Sequence, residues 1–101
     1  ISADTPKILA LEPDLVLTFS DLQADIVRDL VRAGVAVHAF NQRDVAGILA
    51  MIRTLGALVG CPERAEALAG NLARRLGRVR EAAARRRARP RVYFEEWDEP
   101  M

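Results

Sequence analysis

The sequence predicts an α/β fold: a parallel β-α-β unit, then one long helix, then the first strand of a further unit. Three observations predict it. Two short apolar runs, Leu15–Phe19 and Val35–Phe40, flank a single amphipathic stretch. Glycine follows that stretch, as it follows the next apolar one. A narrow apolar stripe then recurs at three- and four-residue steps from Ala65 to Ala83, bounded by Pro62 and Pro90.

The elements follow in order. Pro13 and Asp14 set off the first run, and Gly34 precedes the second. Continuous apolar runs of this length predict strands buried on both faces. Between them Ser20 and Gln23 have the spacing of a capping box, and Leu22, Ile26, Leu30 and Ala33 fall on one helical face beside Val27 and Val31. Gly34 suits the left-handed residue past a helix end. A strand, a helix and a strand so connected predict a right-handed crossover and parallel pairing.

Asp44 is a candidate cap for a helix from Val45 to about Val59, apolar on most sides and ended by Gly60. Its stretch, 45–60, is too short and, with Arg53, too charged for a membrane span of roughly 20 apolar residues. Pro62 opens the next helix in the first-turn position that tolerates proline, with Glu63 and Glu66 near its positive end. Carried to Ala88, this helix would be about 40 Å long at 1.5 Å per residue. Pro90 stops it, and Arg91–Glu95 reads as a strand that begins another unit.

At 101 residues one compact domain at most is expected. Half the residues are hydrophobic, which argues against a disordered tail. The net charge of +1 averages unlike parts: five basic and seven acidic residues over 1–61, ten and three over 62–91, none and four over 92–101. Cys61 is the only cysteine, so no internal disulfide and no thiolate metal cluster is available. Residues 1–7 lack the basic start and apolar run of a secretory signal, and an interior piece of a longer protein is expected.

In open α/β sheets ligands bind beyond the carboxyl ends of the strands, where Phe19-Ser20-Asp21, Phe40-Asn41-Gln42 and Glu96-Trp97-Asp98 would fall. Phe19 and Phe40 have a second reading, as rings that close the core under the loops, and position alone favours it. His38, inside an apolar run, reads as a buried structural histidine rather than a metal or haem ligand. Cys61 reads as structural, having no candidate base nearby. The acidic residues Glu95, Glu96, Asp98 and Glu99 are a weak candidate for a hard cation. Nucleotide-binding glycine motifs and the G-x-S-x-G hydrolase turn are absent from the sequence.

Arginines 74, 75, 78, 80, 85, 86, 87 and 89 offer two readings. One is a phosphate-binding helix for nucleic acid; the other is a solvated helix face whose charge suits the carboxyl end of the helix dipole. The apolar stripe opposite, and the lack of interleaved aromatics, favour the second.

Several ordered features resemble one family. Leu11-Glu12-Pro13-Asp14-Leu15-Val16-Leu17, the helix end Leu30-Val31-Arg32-Ala33-Gly34, the run Val35–Phe40, the segment Arg53-Thr54-Leu55-Gly56, and the long Ala-, Leu- and Arg-rich helix are similar, in this order, to substrate-binding proteins of ABC importers for vitamin B12, iron-siderophores and haem. The segment 91–100 looks most like the cobalamin-type branch.

The resemblance covers essentially the whole chain. It implies that residues 1–61 are the later part of an N-terminal lobe, 62–89 a rigid interlobe helix, and 90–101 the truncated start of a C-terminal lobe. It implies a non-enzymatic protein, periplasmic or otherwise extracytoplasmic in its full-length form, that holds a ligand such as cobalamin or a ferric siderophore between lobes. Phe19, Ser20, Phe40 and Asn41 match the N-lobe wall, and Glu96 and Trp97 the C-lobe wall. Asp25, with Asp21 as substitute, matches a carboxylate that docks onto arginines of the membrane permease. No cofactor, metal or nucleic acid is expected. Exposed sheet edge and an uncovered stripe on the long helix favour self-association or a swapped dimer.

Two rivals come from other classes. A nucleic-acid module using the arginine helix predicts binding that weakens steeply with salt. A metal-dependent enzyme of the same architecture would have to use Glu95, Glu96, Asp98 and His38 as ligands.

Overall fold

The computed structural model describes residues 2–96. Its elements are α1 (Thr5–Ala10), β1 (Val16–Phe19), a short 3-10 turn over Asp21–Gln23, α2 (Ala24–Arg32), β2 (Val37–Phe40), α3 (Val45–Leu58) and α4 (Pro62–Ala84). β1 and β2 pair in parallel, with Val16 opposite Val37 and Phe19 opposite Phe40. The expected α/β class and parallel β-α-β unit are therefore present. No helix among the described residues is long and apolar enough to cross a membrane.

Local chemistry places each boundary. α1 adds to the expected elements: the Asp4 carboxylate accepts the Lys7 N–H at 3.1 Å, and Pro6 sits in the first turn. At the entry to α2 the Ser20 hydroxyl accepts the Leu22 N–H at 3.3 Å. The Gln23 carboxamide reaches back to the Phe19 N–H at 2.7 Å, one residue earlier than a capping box requires. Asp44 caps α3 through the Gly47 N–H at 2.7 Å.

Both long-expected helix ends close in the same way. Gly34 N–H donates to Val31 and Val35 N–H to Leu30; Gly60 N–H donates to Ala57 and Cys61 N–H to Gly56. Each pair is a Schellman closure around a glycine in the left-handed region, φ 86° at Gly34 and 76° at Gly60.

The chain forms two compact units, residues 1–69 and residues 70–101. In the first, Leu30 on α2 is fully buried, which at typical transfer values contributes roughly 1.5–3 kcal/mol. Ala65, Ala69 and Gly56 are also buried. α3 and α4 meet where Gly56 faces Ala65, so closely that a methyl group on Gly56 would collide with the Ala65 side chain. Across the same pair of helices Arg53 Nε donates to Glu66 at 2.7 Å and its terminal nitrogen at 3.3 Å. That hydrogen bonding, and then the charge of the guanidinium, holds the Glu66 carboxyl below its ordinary range.

Residues paired in a parallel ladder share a face, so Leu17, Phe19, His38 and Phe40 lie on one side of the sheet and Val16, Thr18, Val37 and Ala39 on the other. Burial on both faces, expected from the apolar runs, is not complete: Leu17, Phe19 and Ala39 are exposed. Cover on both faces needs elements packed on each side of the strands, and the apolar runs alone overstate that cover.

The second unit holds α4 from Gly70 onward and, among the described residues, a stretch over 85–96 without regular secondary structure. α4 ends at Ala84, short of the expected Ala88, so it is about 35 Å long. Arg85, Arg86, Arg87 and Arg89 follow the helix rather than lining its last turn. Successive like charges resist packing into one turn, and Pro90 biases the residue before it away from helix. Arg91–Glu95, expected as a strand, is irregular chain without a partner strand among the described residues, with Val92, Tyr93 and Phe94 exposed. Strand formation needs a pairing edge that local sequence cannot supply.

Candidate functional site

Parallel pairing in register brings the carboxyl ends of β1 and β2 side by side, so the loops after Phe19 and Phe40 start as neighbours. The backbone N–H of Ser20 donates to the Phe40 carbonyl at 2.7 Å, extending the ladder one step into the loops. Ser20 is buried and adopts φ 63°, ψ 175°, a region occupied almost solely by glycine. The loop is held there by three bonds: the Ser20 N–H to Phe40, the Ser20 hydroxyl to Leu22 N–H, and the Gln23 carboxamide to Phe19 N–H.

Beside this junction lies an open cavity of about 310 Å³, lined by Ser20, Asp21 and Ala24 from one loop and helix start, and by Phe40 and Asn41 from the other strand. Phe19, which precedes Ser20 and pairs with Phe40, does not line it and is 43% exposed. A second cavity, about 290 Å³, lies between the end of β2 and α3, with His38, Phe40, Gln42 and Met51 in its wall. The His38 and Phe40 rings meet there, centroids 4.4 Å apart and tilted by 52°. His38 is half-buried rather than enclosed. The Gln42 side-chain oxygen is buried without a hydrogen-bond partner among the described residues, a polar group with capacity to spare.

Arg43, which no sequence motif marks, belongs to this cluster. Its guanidinium lies 6.0 Å over the Phe19 ring and 3.7 Å from an Asp21 carboxylate oxygen. The rule that singled out Asn41 and Gln42, position just past a strand's carboxyl end, reaches Arg43 if extended by one residue.

Of the residues singled out as ligand contacts, Phe19, Ser20, Phe40 and Asn41 thus converge on one end of the sheet. Asp25 sits in the first turn of α2, its side chain 89% exposed and 3.5 Å from Arg28. Glu96 is exposed in the second unit, and Trp97 and Asp98 lie outside the described residues. Cys61 is half-buried at the start of α4, its thiol near the Val59 carbonyl. No group of three or more histidine, cysteine or carboxylate side chains with metal-binding geometry occurs among the described residues.

The cluster offers recognition chemistry: an exposed aromatic face, a backbone junction stiffened by hydrogen bonds, an amide side chain and one guanidinium. Comparison with known proteins gives the lineage of this arrangement. No curated protein matches the chain. Among solved structures it is similar to a periplasmic haem-binding protein from Pseudomonas aeruginosa, at 28% identity and a TM-score of 0.69, over 82% of this chain. The chain spans about 31% of the length of that protein. The family model for periplasmic binding proteins matches residues 2–101, and with the match spanning nearly every residue, the chain belongs to the periplasmic binding protein family.

Proposed function

We propose that the protein is the solute-binding component of an ABC importer. It captures a corrinoid or iron-chelate ligand outside the cytoplasmic membrane and delivers it to the membrane permease without catalysing a reaction. The observation that carries this reading is the convergence of Phe19, Ser20, Phe40 and Asn41 at the carboxyl end of the sheet, beside a cavity, in a chain of this family.

In this reading residues 1–61 supply one wall of the ligand site, 62–89 the strut between lobes, and 90–101 the start of the opposite wall, with Glu96 and Trp97 as its contacts. Aromatic faces suit large, partly planar ligands because they give apolar area at little cost in side-chain entropy. The haem-binding neighbour supports a ligand of that shape. Asp25 is the docking carboxylate: exposed and only loosely paired with Arg28, it is available to a cationic partner surface and gives that contact its salt dependence.

Calorimetric titration of the full-length protein with haem, cobalamin and ferric siderophores tests the reading. Saturable binding of one of these is expected. Absence of binding to all three classes would refute it.

A further inference from the structure

Resting on the solute-binding reading, we propose that Arg43 is a specificity-determining residue: it receives a peripheral anionic oxygen of the ligand, exchanging Asp21 for it. The argument begins with charge. In the two loops at the carboxyl end of the sheet, 19–23 and 40–44, Arg43 is the only cation, and it stands with Asp21 and Asp44. Asp44 already accepts the Gly47 N–H as the cap of α3, which leaves Asp21 as the facing partner.

The partnership is loose. At 3.7 Å the Arg43–Asp21 contact is longer than a hydrogen bond, and both side chains are largely exposed. The guanidinium also lies 6.0 Å over Phe19, at the outer limit of a cation–π contact. A ring system stacking on the face of Phe19 that Arg43 overlies therefore meets the guanidinium first. A ligand with no negative charge must displace the guanidinium and gains nothing in return. A ligand bearing a carboxylate or phosphodiester at its edge replaces Asp21 and gains a charge-assisted contact in a site that the ligand itself dries.

Two ligand chemistries carry such an oxygen on a side chain of a macrocycle, the propionates of haem and the phosphodiester of cobalamin. Titration of the full-length protein with each, and with its counterpart lacking the anion, separates them: haem against haem dimethyl ester in the same dilute detergent, and cobalamin against cobinamide. For the ligand that binds, Arg43→Ala is expected to weaken the anionic form by roughly 10- to 100-fold, while the counterpart binds no more weakly and gains slightly, having no guanidinium to displace. Asp21→Asn is expected to tighten the anionic form by roughly two- to fivefold, by removing the competitor.

Equal losses for anionic and neutral forms in Arg43→Ala, or no loss at all, would overturn the assignment while the binding reading stands. Binding only of a ferric siderophore, with neither macrocycle bound, would do the same. If wild type binds neither macrocycle nor any ferric siderophore, the binding reading fails and the assignment with it. Arg43 is exposed and Arg43→Lys keeps the charge, so an intermediate affinity in that variant, with an unchanged melting curve, separates recognition from folding.

Discussion

The Ser20 N–H reaches the Phe40 carbonyl at 2.7 Å, and this bond couples the two loops that end the sheet. It is made from a conformation, φ 63° and ψ 175°, that costs a residue with a side chain on the order of 1–3 kcal/mol. The strain is held by the hydroxyl cap and the ladder, and it fixes the direction in which the chain leaves β1.

Substitutions at Ser20 should separate strain from capping. Ser20→Gly relieves the strain but gives up the hydroxyl, so its stability is expected within about 1 kcal/mol of wild type. Ser20→Ala keeps the strain and loses the acceptor for Leu22, a loss of about 1 kcal/mol. Ser20→Val adds β-branching and should be worst. Urea denaturation gives the order; Ser20→Ala more stable than Ser20→Gly would contradict it.

Phe19 and Phe40 pair across the ladder yet differ in burial, and their roles should divide accordingly. Phe19→Ala removes a side chain that is already partly solvated and is expected to cost less than about 1.5 kcal/mol of stability, while weakening ligand at least tenfold. Phe40→Ala empties space beside His38 and should cost about 2–3 kcal/mol. Denaturation and titration of the same samples measure both. A larger stability loss at Phe19 than at Phe40 would restore the core-closing reading for Phe19.

At the α3–α4 crossing the close approach of Gly56 to Ala65 leaves no room for a methyl group. Gly56→Ala should force the helices apart and destabilise by roughly 1–3 kcal/mol, although alanine is the better helix former. Adding Ala65→Gly should recover part of the loss, because the same volume is then shared differently. A fully additive double variant would show that the contact is not the cause.

The Arg53–Glu66 pair gives a pH dependence whose sign follows from the lowered Glu66 carboxyl. Folding holds Glu66 charged where the unfolded chain would bind a proton, so the contribution is complete above the ordinary carboxylate range. It is lost as pH falls from there through the lower folded value. Both side chains are exposed, so the effect should be small and should shrink in salt. Melting curves of wild type and Glu66→Gln between neutral and acid pH should converge as pH falls. Parallel curves would contradict the sign.

What the sequence made legible was local. The glycines at 34 and 60, the Asp44 cap and Pro62 bound their helices because each acts on backbone groups within a few residues. Helix α1 was equally available from Asp4 and Pro6, but six residues carry too little periodicity to announce it. The expected strand at Arg91–Glu95 depended on a partner edge, which no local pattern encodes. At the site, Phe19, Ser20, Phe40 and Asn41 were marked by one topological rule about strand ends. The strain at Ser20 and the seat of Arg43 over Phe19 were not, since both arise from contacts between segments more than one loop apart.

Backbone NMR of the full-length protein during ligand titration tests the central claim most directly. If ligand sits at the carboxyl end of β1 and β2, the amides of Ser20, Asp21, Asn41 and Arg43 should shift or broaden first, with Arg74–Arg89 little changed. Perturbations gathered on Arg74–Arg89, with residues 19–21 and 40–43 silent, would place recognition on the arginine helix and contradict the account.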